Sequence, residues 1–208
     1  MDADEVADDG AWARAAAGMA QDVGRESPVC EITALATKVV YRNRWMTVRE
    51  DSIQRSDGSR GIYGVVEKSD FALIIPVASD GALCLVEQYR YPVKGRFWEF
   101  PQGSWEGVAT ADPLELARGE LQEETGLLAR EMHYVGHLFE CYGYSTQGCH
   151  IFIARDLQVT ETKLDPEEHG LISRTFPLDA VIAMIGDGRI KDAMSVAALG
   201  LCRLKGLL

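Results

Sequence analysis

The order of the predicted secondary-structure elements constrains the fold of this 208-residue chain more than any other feature. Runs rich in β-branched, aromatic and apolar residues come first, one amphipathic helix follows, and further strands precede two closing helices. The predicted strands are 37–41, 45–49, 62–67, 71–77, 82–89, 131–139 and 150–154, and the predicted helices are 113–127, 178–185 and 193–204. This order predicts an α/β fold of the α+β type, in which a mixed central sheet carries helices on its faces.

Turn and capping residues indicate where the central elements begin and end. A Ser-Asp-Gly turn signal separates the runs 71–77 and 82–89, which predicts that the two pair as a hairpin. Asp112 is a suitable N-cap, a proline occupies the first helical position, and Gly126 lies near the C-terminal end. These signals predict one helix over 113–127.

Composition excludes several classes of partner. The chain has 21 Lys and Arg against 32 Asp and Glu, a net charge of -11. Nucleic acids and anionic membranes are bound by clustered basic residues, so we expect neither as a partner. There is no apolar run of membrane-spanning length, and the start of the chain lacks a signal peptide pattern. The five scattered cysteines are typical of reduced thiols and predict a cytoplasmic protein without a structural zinc site.

Three carboxylates share one sector of the predicted helix 113–127. At about 100° per residue, Glu123 and Glu124 both lie within about 60° of Glu120. A solvated, charged outer face is one interpretation, because like charges at this spacing weaken a helix only slightly. The other is a metal site, because no Lys or Arg interrupts the cluster and a glycine-bearing loop precedes it. Clustered oxygen ligands are what Mg²⁺ or Mn²⁺ requires.

These residues resemble the box of the Nudix hydrolases. That box reads Gly, five residues, Glu, seven residues, Arg-Glu, an aliphatic residue, any residue, Glu-Glu, any residue, Gly and an aliphatic residue. The matching residues are Gly103, Glu120, Leu121, Glu123, Glu124, Gly126 and Leu127. The wider resemblance covers about residues 36–205 and is to the branch typified by ADP-ribose pyrophosphatases. It implies a Nudix-type α/β/α sandwich plus an N-terminal antiparallel strand region.

The chain departs from the box in three places. The interval from Gly103 to Glu120 is two residues too long, which we place in the loop 107–111. Gly119 and Ala111 replace an Arg and a Glu that pair with each other in the family, and Asp112 with Arg118 is a conceivable substitute pair. Where the branch often has a catalytic Glu, the chain has Gln147, which cannot accept a proton near neutral pH.

The resemblance also implies roles for individual residues. Glu120 and Glu124 would hold Mg²⁺, Glu123 would hold a second ion directly or through water, and the main-chain carbonyl of Gln102 would be a further ligand. Candidates for substrate contact are Arg90, Gly103, Trp105 and Tyr144, with Arg90 on a phosphate and the aromatic rings stacking on a base. For Arg90 the alternative is a solvated strand end, and for either ring a core or loop-anchoring role.

The general base is the least determined part of the site. We favour Glu167 or Glu168, in an acidic, proline-broken segment that is otherwise a solvated loop, over Glu140. His169 and a second role for Glu120 are further alternatives. The other three histidines, at 133, 137 and 150, are scattered through predicted strands and loops, so we expect them to be structural rather than ligands.

The resemblance implies a Mg²⁺-dependent hydrolase of ADP-ribose or a related nucleoside diphosphate sugar. The alternatives are a Nudix hydrolase for another nucleoside diphosphate derivative and a Nudix-fold nucleotide sensor without catalysis. Three regions are expected: a flexible acidic tail over 1–29, a strand region over 30–68 and a catalytic core over 69–208. The branch implies that the strand region forms a homodimer, in which Arg42, Arg44 or Arg49 reaches the neighbour's substrate.

Overall fold

The computed structural model describes residues 31–104, 112–162 and 170–208. Its strands are β1 (Ile32–Arg42), β2 (Thr47–Arg55), β3 (Arg60–Glu67), β4 (Phe71–Pro76), β5 (Leu83–Arg90), β6 (Gly95–Glu99), β7 (Gln102–Gly103), β8 (Leu127–Phe139), β9 (Gly148–Val159) and β10 (Ile172–Phe176). Its α-helices are α1 (Pro113–Thr125), α2 (Leu178–Gly186) and α3 (Ala193–Leu204). The predicted α/β fold is confirmed, and β6, β7 and β10 are strands that the sequence pattern did not indicate.

A four-stranded mixed sheet forms the centre, in the order β7-β4-β9-β8. β4 runs parallel to β9 with Phe71 opposite Cys149, whereas β7 and β8 lie antiparallel to their neighbours. All six residues of β4 are buried, as expected of an apolar strand that is covered on both faces.

β4 and β5 do not form the predicted hairpin. Their only backbone pairing among the described residues is an isolated bridge between Val77 and Leu83 beside the turn, and β5 then joins a separate antiparallel sheet in the order β10-β5-β6. The turn signal was correct, but β4 takes its partners from β7 and β9, which lie far away along the chain. Local turn chemistry fixes a reversal of direction without fixing which strands pair.

Each face of the mixed sheet packs against different elements. α1 covers one face, where its Leu116, Ala117 and Leu121 pack against Ala72 and Ile74 of β4. The other face packs against β5, α2 and α3, whose apolar side chains form the larger core cluster. The central sheet therefore lies between helical layers, and the described helices include none long and apolar enough to cross a membrane.

The first three strands form their own antiparallel sheet, in the order β1-β2-β3. β3 attaches it to the rest of the chain, because Val66 donates to the carbonyl of Tyr144 at 2.7 Å and accepts from the amide of Thr146 at 3.0 Å. β1 is exposed along its whole length. The sheet is therefore attached through β3 at one edge, while the residues of β1 at the other edge are exposed.

Candidate active site

The centre of the site is a close approach between Gly103 and Glu120. A Cβ at position 103 would lie closer than 3.0 Å to three atoms of the Glu120 carboxyl group, nearer than side chains approach one another. Only glycine lets β7 come this close to α1. The arrangement holds a buried carboxylate against the backbone that follows Gln102.

Glu124 lies one turn further along α1 and faces the same backbone. Its Oε2 accepts a hydrogen bond from the amide of Gln102 at 3.0 Å. Glu120 and Glu124 are only 5% and 1% exposed, while Glu123 is half-buried. The interpretation of this cluster as a solvated outer face is therefore wrong for Glu120 and Glu124.

α1 begins and ends as its capping residues predict. The Asp112 side chain accepts from the amide of Leu114 at 2.8 Å, and Gly126 ends the helix in the left-handed conformation with φ of 67°. Arg118 donates to the carbonyl of Ala129 at 2.8 Å instead of pairing with Asp112. Since each of these two side chains has another partner, the suggested substitute pair is not formed.

The segment that carries Gln102 is held from its other side by the start of α3. Asp192 caps that helix by accepting from the amide of Ser195 at 2.7 Å, and it also accepts from the Gln102 side chain at 3.2 Å. The Ser195 hydroxyl accepts from the amide of Phe100 at 2.9 Å. Residues 100–103 are thus fixed between α1 and α3, although α3 lies about ninety positions away along the chain.

Arg90 forms an ion pair with buried Glu99, whose carboxylate also accepts from Gln88 at 2.9 Å. Burial raises the pKa of Glu99, and the charge of Arg90 opposes this rise. Burial lowers the pKa of Arg90, but the negative charges around it, first Glu99 and then Glu124, raise it by more. Arg90 therefore stays cationic close to the carboxylates of α1. Its contact with a phosphate stays a prediction.

Gln147 has a structural role. It is 3% exposed, and its side-chain amide donates to the carbonyl of Ser69 at 2.8 Å. Its own carbonyl accepts from the amide of Glu140 at 3.2 Å, which closes the loop between β8 and β9. The Gln147 amide does not titrate, so it cannot act as a base. Among the described residues of this loop, Glu140 is the one that carries a carboxylate.

Tyr144 lies in a groove between that loop and the N-terminal sheet. The groove has a volume of about 400 Å³, and its walls include the rings of Tyr63 and Tyr142 and the buried carboxylate of Asp51. The Tyr63 hydroxyl donates to the carbonyl of Gly143 at 2.8 Å. Tyr144 is exposed enough to stack on a ligand, and that role stays a prediction.

Several predicted residues lie outside the described part of the chain. Trp105 is one of them, and so are Glu167, Glu168 and His169, the candidates for a general base in the acidic segment. The lengthened box loop, 107–111, also lies outside it.

Two contributors to the site were missed by the motif. Glu99 stands inside the run that leads to Gly103, and a charged residue flanked by aromatic and apolar neighbours in a strand signals a buried partner. Asp192 precedes the amphipathic segment 193–204 and has the typical appearance of an N-cap. Its second contact, with Gln102, has no local signal.

Two family profiles match this chain, one over the N-terminal strand region and one over most of the rest. The profile described as NUDIX domain matches residues 68–198, and the profile described as nucleoside diphosphate sugar hydrolase N-terminal domain matches residues 32–66. The chain is 34% identical over 142 residues to the GDP-mannose pyrophosphatase of Yersinia enterocolitica, covering 62% of this chain and 70% of that protein. It is 22% identical over 176 residues to the ADP-ribose pyrophosphatase of Bacillus subtilis strain 168, covering 84% of this chain and 94% of the relative. A crystal structure of an ADP compounds hydrolase matches with a TM-score of 0.74 at 26% identity, covering 88% of this chain and 98% of the other.

Proposed function

This chain belongs to the NUDIX family of hydrolases, and on that premise we propose that it hydrolyses the diphosphate of ADP-ribose or a related nucleoside diphosphate sugar. The products are a nucleoside monophosphate and a sugar phosphate. The observation that carries the proposal is the approach of Gly103 to Glu120, because it places the buried carboxylates of Glu120 and Glu124 beside the half-buried backbone of Gln102 and Gly103. The match of residues 32–66 to the nucleoside diphosphate sugar hydrolase profile supports the substrate class.

The residues present suit Mg²⁺, with Mn²⁺ as a substitute. Two buried carboxylates, a half-buried third and a main-chain carbonyl would form an all-oxygen donor set, which is the set that hard divalent cations prefer. Glu120, Glu124 and the carbonyl of Gln102 would hold Mg²⁺, and Glu123 would hold a second ion directly or through water. When bound, Mg²⁺ neutralises the anionic diphosphate and makes water a better nucleophile.

The protein's own residues have distinct tasks around that centre. Glu99 holds the Arg90 guanidinium close to the carboxylates, where it would donate hydrogen bonds to a phosphate oxygen of the substrate. Asp192 and Ser195 fix the segment 100–102, so the Gln102 carbonyl keeps its place during turnover. Trp105 and Tyr144 would stack on the base of the nucleoside.

We propose Glu167 or Glu168 as the general base that accepts the proton of the attacking water. The anchored amide of Gln147 supports this assignment, because that position supplies no base. Replacing Glu168 by Gln should lower kcat at least roughly tenfold while Mg²⁺ affinity stays nearly unchanged. Wild-type turnover in that variant would remove Glu168 from the mechanism and leave Glu167, Glu140 or Glu120.

The N-terminal sheet supports a homodimer. β1 exposes large apolar side chains at Leu35, Val39, Val40 and Tyr41, and an exposed apolar surface of this kind favours association with another chain. All three arginines have contacts within their own chain: Arg49 with Asp51 and Glu67, Arg42 with the Thr47 hydroxyl, and Arg44 with the Trp45 ring. Arg42, Arg44 or Arg49 would reach a neighbour's substrate. A cytoplasmic location is supported by the free thiols of Cys84, Cys141, Cys149 and Cys202.

The test is a hydrolysis assay with Mg²⁺ on ADP-ribose, GDP-mannose and other nucleoside diphosphate sugars, with products separated by anion-exchange chromatography. Formation of AMP and ribose phosphate from ADP-ribose, or of the matching pair from another sugar, supports the proposal. Hydrolysis of only a diphosphate that carries no sugar overturns the substrate class. Binding of the panel without hydrolysis overturns the enzymatic proposal in favour of a sensor.

A further inference from the structure

A cluster of possible metal ligands lies apart from the carboxylates of α1. His137 of β8 and His150 of β9 are direct cross-strand partners, and Asp70 immediately precedes β4 on the other side of β9. One ligand atom from each of the three residues lies within 4.8 Å of the other two. The sequence predicts both histidines to be structural, because they are scattered along the chain.

The distances within this cluster suit a shared ion. Asp70 Oδ2 lies 3.3 Å from His137 Nε2 and 3.5 Å from His150 Nε2. A direct N–H···O hydrogen bond is usually shorter, about 2.9–3.0 Å. Ligand atoms at bond lengths of about 2.0–2.1 Å in a tetrahedral zinc shell lie about 3.3–3.4 Å apart. These two separations are therefore close to the edges of a coordination tetrahedron, and the ligand nitrogens of the two histidines lie within 4.8 Å of each other.

Neighbouring groups orient two of the three candidate ligands. Asp70 Oδ1 accepts from the amide of Gly148 at 2.7 Å, which leaves Oδ2 directed at the two imidazoles. His150 Nδ1 lies 3.4 Å from the Tyr134 hydroxyl, so an Nδ1–H donated there places the lone pair of His150 on Nε2. Such supporting contacts set the tautomer and ring orientation of metal-bound histidines.

Gly148 makes room for the cluster. A Cβ at this position would lie 3.0 Å from Asp70 Oδ2 and closer still to the His137 ring. Glycine at this position therefore leaves space for the three side chains to converge.

We propose that Asp70, His137 and His150 bind one divalent transition-metal ion of the Zn²⁺ class, with water completing the coordination shell. Two imidazoles and one carboxylate suit Zn²⁺, Co²⁺ or Ni²⁺, whereas the all-oxygen set on α1 suits Mg²⁺ and Mn²⁺. The two sites therefore select different metals.

The cluster is also distant from the α1 carboxylates. Ala72 of β4 lies between its two cross-strand partners, Gly103 of β7 and His150 of β9. Gly148 precedes His150 by two residues in β9. Strand spacing and rise put the backbones of Gly103 and Gly148 roughly 12 Å apart. Since Gly103 touches the Glu120 carboxylate and Gly148 touches the His137 ring, the two centres would hold separate ions.

The test is a metal titration of the full, tag-free chain after treatment with a chelator. Co²⁺ is added and its visible absorption is followed, and Zn²⁺ is then added as a competitor. We expect one strongly bound Co²⁺, displaced by Zn²⁺, whose affinity falls at least roughly tenfold in His137→Gln and in His150→Gln. His133→Gln is the matched control, because His133 is an exposed histidine of the same strand.

Two further variants keep the proposal testable. Glu124→Gln should leave Co²⁺ binding unchanged, so loss of binding there would assign the ion to the α1 carboxylates and overturn the proposal. Tyr134→Phe retains the ring that packs on Phe152 but removes the hydroxyl near His150. It should lower the affinity for Co²⁺ without unfolding the chain, so it still tests the site if the histidine variants fail to fold. Unchanged affinity in folded His137→Gln and His150→Gln, or no bound Co²⁺ in the wild type, also overturns it.

Discussion

The mixed sheet and the N-terminal sheet differ most in what covers them. β4 buries all six of its residues between α1 and the opposite layer, whereas all eleven residues of β1 are exposed. The carboxylates of the site belong to the first region, where helix, strand and loop hold one another in place. The second region has exposed apolar side chains on β1, and no other described element of the chain covers them.

This contrast separates two kinds of contribution to function. Chemistry that needs buried charge requires a packed environment, because only surrounding elements can hold two carboxylates side by side. An apolar surface that is buried by association with a partner can remain exposed in the isolated chain. Substitutions in the first region should therefore change activity, and substitutions in the second region should change assembly.

The largest effect is expected from Glu124→Gln. The substitution keeps the size and the acceptor for the Gln102 amide but removes a charge from the metal ligands, so kcat should fall at least roughly a hundredfold. Glu115→Gln, at an exposed position of the same helix, is the control and should remain near wild type. Steady-state hydrolysis of the best substrate at saturating Mg²⁺ measures both, and full activity in Glu124→Gln would refute the metal assignment.

A pair of glycine substitutions compares the two regions directly. Gly103→Ala adds a Cβ against the Glu120 carboxyl group, so we expect kcat to fall at least roughly tenfold and the melting temperature to drop by several degrees. Gly64→Ala in β3 meets nothing within 4 Å and should leave both quantities nearly unchanged. Equal effects of the two would show that the close approach at Gly103 is not needed for catalysis.

A smaller effect on activity is expected from disruption of β1. The double substitution Leu35→Asp and Val39→Asp places charges on an exposed apolar surface and should convert a dimer to a monomer at micromolar concentration in sedimentation. kcat/KM should fall only severalfold, because the carboxylates remain intact. Val159→Asp, at an exposed valine of β9, should leave the oligomeric state unchanged. A wild-type chain that sediments as a monomer would contradict the dimer.

Structural features that depend only on residues close together in the sequence were predictable. The cap at Asp112, the end at Gly126 and the grouping of Glu120 with Glu124 follow from the geometry of a helix of thirteen residues and its two caps. Even their burial has a sequence correlate, since Leu121 and Ala117 mark the apolar side of the same helix. Local rules specify a helix and the residues that share its face.

Contacts between distant segments were not predictable in this way. The false hairpin of β4 and β5 and the contact of Asp192 with Gln102 both depend on which elements become neighbours after folding. The pairing of His137 with His150 further depends on a register shift between Tyr134 and Gly136. A one-residue change in register would turn these side chains to opposite faces, so composition and spacing alone cannot reveal the pair.

The smallest effect concerns the response of the catalytic region to alkaline pH. Burial, followed by the charge of Glu124, raises the pKa of Cys84 from 9.0 to about 11. Because the folded pKa exceeds that of the unfolded chain, the stabilisation is complete below pH 9 and disappears as pH rises through about 11. Cys84→Ser should therefore flatten the decline of the unfolding free energy between these pH values in urea titrations. Cys141→Ser, in the half-buried loop, is the control and should retain the wild-type slope. No cysteine occurs between residues 31 and 67, so a matching alkaline transition in the N-terminal sheet would show that other groups cause it.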